Sequence, residues 1–95
     1  MNQDQTVRRL TARVTGDVQG VGFRYRTMQH ALRLGLAGVA SNQRDGSVLV
    51  VAEGSGPGLD GLLEFLGGPG APGHVTGVEE SFSAATGEFN GFRAQ

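Results

Sequence analysis

Leu10-Thr11-Ala12-Arg13-Val14-Thr15-Gly16-Asp17-Val18-Gln19-Gly20-Val21-Gly22-Phe23-Arg24-Tyr25 is the stretch in which the chain changes its period. Leu10, Ala12 and Val14 alternate with Arg9, Thr11, Arg13 and Thr15, the period of two of a half-buried strand that ends at Gly16. Past the glycine-bearing segment Gly16 to Gly22, Tyr25, Met28 and Leu32, with Ala31 beside it, recur at helical spacing. Gly35 stands where the residue after a helix belongs. A strand, a glycine loop and a helix therefore open the fold.

The same reading extends outward. Gly38 to Asn42 is a short strand bounded by Gln43-Arg44-Asp45-Gly46, and Asp-Gly before Val48-Leu49-Val50-Val51-Ala52 signals an antiparallel hairpin. Leu59, Leu62, Leu63 and Leu66 fall at i, i+3, i+4 and i+7, the stripe of a second amphipathic helix, which Gly67 to Gly73 breaks. Val75 to Phe82 supplies a fourth strand, and Phe89 to Phe92 a short terminal piece. The order strand, helix, strand, strand, helix, strand predicts an α+β fold of the ferredoxin-like split βαβ plan. Two right-handed crossovers would give a four-stranded antiparallel sheet with both helices on one face. One domain over residues 1–95 is expected, with residues 1–6 a flexible tail.

Composition narrows the chemistry. The chain has 95 residues with no Cys, and all 8 basic residues are Arg. Disulfides, thiolate metal sites, Cys nucleophiles, Schiff-base lysines and the P-loop lysine are thereby excluded. The longest aliphatic run, Val48 to Ala52, is far below the ~20 residues that span a bilayer. The first residues lack the basic flank and apolar stretch of a secretory signal, so a cytoplasmic protein without membrane association is expected. The net charge of −1 combines +5 over residues 1–44 with −6 over residues 45–95, which puts an anion site in the first half. The footprint is not basic enough overall for a nucleic-acid binder, and the strands Leu10 to Thr15 and Val48 to Ala52 lack the aromatics of an RNA-binding sheet.

Two places carry chemistry. In Val18-Gln19-Gly20-Val21-Gly22-Phe23-Arg24, the glycines allow successive N–H groups to converge, and the helix N-terminus adds its positive end. Arg24 projects a planar fork of donors toward the same point, which makes a cradle for a phosphate or carboxylate. A tight glycine turn beside an ordinary surface arginine accounts for the pattern equally well. Asn42 ends the second strand on the same sheet edge. Its carboxamide can both donate to and accept from a water but cannot act as a general base; Asn at a hairpin entry is the commoner reason for such a residue. His30 and His74 are too isolated for a metal site, and His30 is expected on a solvated helix face near Arg26 and Arg33. Gly56-Pro57-Gly58-Leu59-Asp60-Gly61 matches a dinucleotide fingerprint, but only 34 residues follow it, too few for a second mononucleotide-binding half.

Val18 to Arg24 with Tyr25, Leu34-Gly35-Leu36-Ala37-Gly38, Asn42 and Asp45-Gly46-Ser47-Val48 together resemble the acylphosphatase family. The resemblance runs unbroken from about Val7 through Glu53 and more loosely through Pro69 to Val78 and Thr86-Gly87-Glu88-Phe89. It implies hydrolysis of the carboxyl–phosphate bond of small acyl phosphates, with no metal, cofactor or covalent intermediate; a monomer is expected because no exposed apolar stripe in the sequence demands a partner. By motif position Arg24 is the phosphate-binding arginine, Gln19, Gly20, Val21, Gly22 and Phe23 are the phosphate loop, and Asn42 holds the attacking water. Three departures stand out: Val39 replaces a common Trp, the segment Gly54 to Gly73 has 8 glycines in 20 residues, and Phe92-Arg93-Ala94-Gln95 lacks a regular closing strand. A short, weakened second helix is expected from the glycines. The alternative function is a non-catalytic ferredoxin-like module that binds an anion or a protein.

Overall fold

The alternating stretch becomes β1, Val7–Asp17, in the computed structural model, which describes residues 6–95. The tail expected over residues 1–6 lies, apart from Thr6, outside the described residues. After β1 come α1 (Phe23–Arg33), β2 (Ala37–Asn42), β3 (Val48–Ser55), α2 (Gly56–Gly67), β4 (His74–Ala84) and β5 (Phe92–Ala94). β1 lies between β3 and β4 and is antiparallel to both, while β2 is antiparallel to β3. Strands β1 and β2 therefore run the same way with β3 between them, the split βαβ arrangement. No helix among the described residues is long and apolar enough to cross a membrane.

The sheet corrects one expectation. It has five strands in the order β4-β1-β3-β2-β5, and β5 is parallel to β2, so the sheet is mixed rather than four-stranded and antiparallel. Without β5 the outer edge of β2 would expose a row of unpaired backbone groups. Instead Gly38 N–H donates to Gly91 O at 2.9 Å, and Gln95 N–H donates to Ala40 O at 2.8 Å. Phe92 fills the core beneath this edge and is 5% exposed.

Leu10, Ala12 and Val14 of β1 and Val48, Val50 and Ala52 of β3 form the sheet side of one core. Leu59, Leu62 and Leu66 of α2 close it from above, and each buried leucine contributes about 1.5–3 kcal/mol. The face of α1 differs from the sequence reading. Phe23, Thr27 and Ala31 are buried at i, i+4 and i+8, whereas Tyr25 and Leu32 are half or more exposed. Two helical positions are about 200° apart, so once Phe23 is buried Tyr25 must point away from the core. His30 is half-buried rather than solvated and stacks on Phe65, with ring centroids 4.4 Å apart. Burial holds the His30 pKa below its ordinary 6.5, and the nearby Arg33 charge acts in the same direction.

The glycine-dense region is ordered packing, and α2 is not short: at 12 residues it is one longer than α1. Ser55 caps it, its Oγ accepting from Gly58 N–H at 3.2 Å, and Pro57 stands in the first turn, where its missing N–H costs nothing. A Cβ on Gly54 would lie 2.3 Å from Leu36 Cδ2, one on Gly58 3.0 Å from the same atom, and one on Gly61 3.2 Å from Leu34 Cδ2. These glycines form a shallow seat for the Leu34 and Leu36 side chains. Two of the three glycines in the fingerprint-like spacing at 56–61, Gly58 and Gly61, thus have a packing cause, whereas a Cβ on Gly56 would meet nothing within 4 Å.

Glu53 was not singled out by the sequence, yet it organises the approach to β5. It is the only buried acidic residue among the described residues. It accepts from Thr86 N–H at 2.9 Å, Thr86 Oγ1 at 3.0 Å, Gly87 N–H at 3.0 Å and Arg9 Nε at 2.8 Å. Arg9 also pairs with Glu88 and sits 5.2 Å over the Phe89 ring. Hydrogen bonds from Thr86, with those from Arg9 and Gly87, hold the Glu53 carboxyl at about 2 against an ordinary 4.5. The segment that leads into β5 is fastened to the centre of the sheet by this one carboxylate.

Candidate active site

The loop between β1 and α1 is fixed at both ends. Val18 and Phe23 are each 1% exposed and sink into the core, while Gly20 and Gly22 between them stay exposed. Their φ angles, +79° for Gly20 and +80° for Gly22, are left-handed values that side-chain-bearing residues rarely adopt. A Cβ at either position would meet nothing within 4 Å, so the glycines are there for backbone conformation, with open space above them. Gly22 is the N-cap of α1, and no side chain caps that terminus. Donor groups at the start of α1 are thus left for a ligand or water, at the positive end of the helix dipole.

Arg24 lies in the first turn of α1 and is partly buried. Its Nη1 donates to the main-chain oxygen of Gln95. With Val18, Gly20, Gly22, Phe23, Tyr25 and Ala94, Arg24 lines an open cleft of about 150 Å³. Of the loop expected from the sequence, Gly20, Gly22 and Phe23 share this concavity with Arg24, whereas Gln19 and Val21 do not line it. Tyr25 and Ala94 are added to it by the structure. Alternation of Phe92 and Ala94 around Arg93 was the available signal for Ala94, because it is the period of a strand.

Asn42 is the last residue of β2 and is exposed. It is not among the residues lining the cleft. Two connections relate it to the site. The parallel register of β5 pairs Ala94 with Ala40, so Gln95, which receives the Arg24 hydrogen bond, runs along the end of β2 that carries Asn42. The second is Gln19, whose Nε2 donates to Gln43 O at 2.8 Å and to Ser47 O at 2.9 Å. Gln43 directly follows Asn42, so the loop is tied to the hairpin beside it. Gly16, where the sequence ends the first strand, lies instead within β1 at an irregularity in its pairing with β4, where a Cβ would lie 2.1 Å from His74 O.

What this arrangement can do chemically is hold a small tetrahedral anion. It offers the loop backbone at Gly20 and Gly22, an uncapped helix terminus and one guanidinium, without a histidine or acidic side chain lining the cleft.

Comparison with known proteins fits this geometry. The family model described as Acylphosphatase matches residues 10–94. An acylphosphatase of Paenarthrobacter aurescens (strain TC1) is 52% identical over 90 residues, which cover 95% of each chain. The crystal structure of acylphosphatase from Bacillus subtilis superposes with a TM-score of 0.81 at 32% identity, covering 93% of this chain and 98% of that one. An acylphosphatase structure from Coxiella burnetii gives a TM-score of 0.82 at 30% identity, with both chains covered completely.

Proposed function

The chain belongs to the acylphosphatase family, and from that premise we propose a division of labour for its hydrolysis of acyl phosphates to carboxylate and phosphate. The observation that carries it is the uncapped start of α1, where Gly20 and Gly22 open the loop and Arg24 lines the same cleft. Backbone N–H groups of Gln19, Gly20, Val21, Gly22 and Phe23 bind the phosphoryl oxygens. Arg24 supplies a fixed positive charge against the negative charge that spreads over those oxygens in the transition state. Asn42 orients the attacking water, which its carboxamide does by donating and accepting at once.

An acyl phosphate is a mixed anhydride with a carboxylate leaving group, so little acid–base assistance is needed. Water attacks phosphorus as the bond from phosphorus to the acyl oxygen breaks. The water's proton passes to a phosphoryl oxygen of the substrate itself. Positioning and charge stabilisation then supply most of the rate. In this reading no metal takes part, and the enzyme acts as a monomer on a small molecule, with no nucleic acid or membrane involved.

Turnover of benzoyl phosphate in the presence of a chelator tests the whole assignment. Wild type should turn over undiminished, while Arg24→Ala and Asn42→Ala should fold, by circular dichroism, and lose about 10²–10³-fold or more in kcat. Full activity in either variant would remove that residue from the mechanism. No turnover by folded wild type would leave the binding-module reading in its place.

A further inference from the structure

We propose that Gln19 is a positioning residue: its side chain sets the phosphate loop against the hairpin that carries Asn42, and so governs how well the oriented water faces the bound phosphoryl group. The inference rests on the roles just proposed for the loop and Asn42. Its basis is the hydrogen-bond capacity of one amide. A carboxamide nitrogen has two hydrogens to donate. Both of those on Gln19 are used, one on Gln43 O at 2.8 Å and one on Ser47 O at 2.9 Å. Because both partners are carbonyl oxygens, the orientation of the amide is determined by its neighbours. The side chain has no donor left for a phosphate, and its free Oε1 would repel one. A loop residue that would be expected to touch the substrate is thus committed to the scaffold.

The scaffold it grips is cross-linked by hydrogen bonds of its own. Gln43 N–H donates to Ser47 O at 2.8 Å, and Gly46 N–H donates to Gln43 O at 3.1 Å. Asp45 Oδ1 accepts from Ser47 N–H at 3.0 Å and from Ser47 Oγ at 2.6 Å, and Ser47 is 2% exposed. Each carbonyl that Gln19 reaches is therefore already held by the turn's own bonds. Asn42 enters this turn one residue before Gln43, and it pairs with Val48 just beyond Ser47. A shift of the loop relative to the turn changes the distance from cradle to Asn42, while the cradle itself, shaped by Gly20 and Gly22, stays as it was. Misplacement of this kind acts on the chemical step more than on binding.

The test compares Gln19→Met, similar in size without a donor, with Gln19→Glu, whose carboxylate repels both carbonyls until it is protonated. Benzoyl phosphate kinetics are read alongside competitive inhibition by inorganic phosphate and the thermal midpoint. In Gln19→Met, kcat should fall about tenfold or more while the phosphate inhibition constant changes less than about twofold. Gln19→Glu should be impaired at neutral pH and recover toward wild type, compared at each pH, as acid restores one donor. An unchanged kcat in Gln19→Met would overturn the proposal. So would equal losses in kcat and phosphate affinity, which would mean that Gln19 shapes the cradle. Impairment of both variants without acid recovery would assign the effect to side-chain packing and overturn it too. If Gln19→Met fails to fold, the acid recovery of Gln19→Glu decides alone. Failure of the underlying reading is recognised separately, by full activity of Arg24→Ala or Asn42→Ala.

Discussion

Single residues show both how far local pattern reaches and where it stops. Thr27 is fully buried on α1, and its Oγ1 is the only buried side-chain polar atom without a partner among the described residues. Replacing it with the isosteric Val removes an unsatisfied hydroxyl at almost no change in helix propensity. Thr27→Val should raise stability by about 1 kcal/mol, or about 5 °C in Tm, by calorimetry; a fall would mean the hydroxyl has a partner. Gly20, Gly22 and Arg24 were legible in the sequence because their contributions are local: two φ angles and one side chain in the first helical turn. The two bonds from Gln19 were not legible. They span 24 and 28 residues and depend on the register of a hairpin, which no local pattern encodes.

Among the elements, those with a strong period were read correctly in type, and the errors fall where tertiary packing decides. α1 rotated away from its expected face because Phe23, at its first position, filled the core ahead of Tyr25. β5 went unread as a strand because it has only three residues and draws its order from elsewhere: from β2 beside it and from the Glu53 clasp on Thr86 and Gly87. That clasp predicts an acid response. A carboxylate whose folded pKa is depressed stabilises the fold above its unfolded value and loses that contribution as pH falls toward the folded one. For Glu53 the window runs from about 4.5 down to about 2. His30, also depressed, loses its contribution as pH falls below 6.5. The thermal midpoint should therefore decline gently below 6.5 and further below 4.5. Glu53→Gln should lower the neutral-pH midpoint and flatten the second decline, whereas an unaltered acid profile would show that the clasp carries no linkage.

At the scale of the whole molecule, folding partly undoes the charge division along the chain. Arg9 meets Glu53 and Glu88, and Arg13 meets Asp45, because β1 is inserted between strands from the acidic half. Sequence halves interleave in the sheet, and Arg24 is the one arginine that lines the cleft. The same insertion has a consequence for how the molecule assembles. Strand β1 finds its partners late: Arg9 meets Glu53 across 44 residues, and Thr15 meets Gly77 across 62. Closing such long loops precedes the contacts that reward it, so refolding should take milliseconds to seconds rather than the microseconds of a helical bundle. The cleft is shaped by the loop after β1 and by β5, and neither is in place before the sheet closes. Catalytic activity should therefore reappear with the same rate constant as the circular dichroism of the sheet. Activity returning ahead of that signal would mean that the cradle forms on its own. With β1 paired on both sides only once the sheet closes, the enzyme gains its working site in the event that completes its fold.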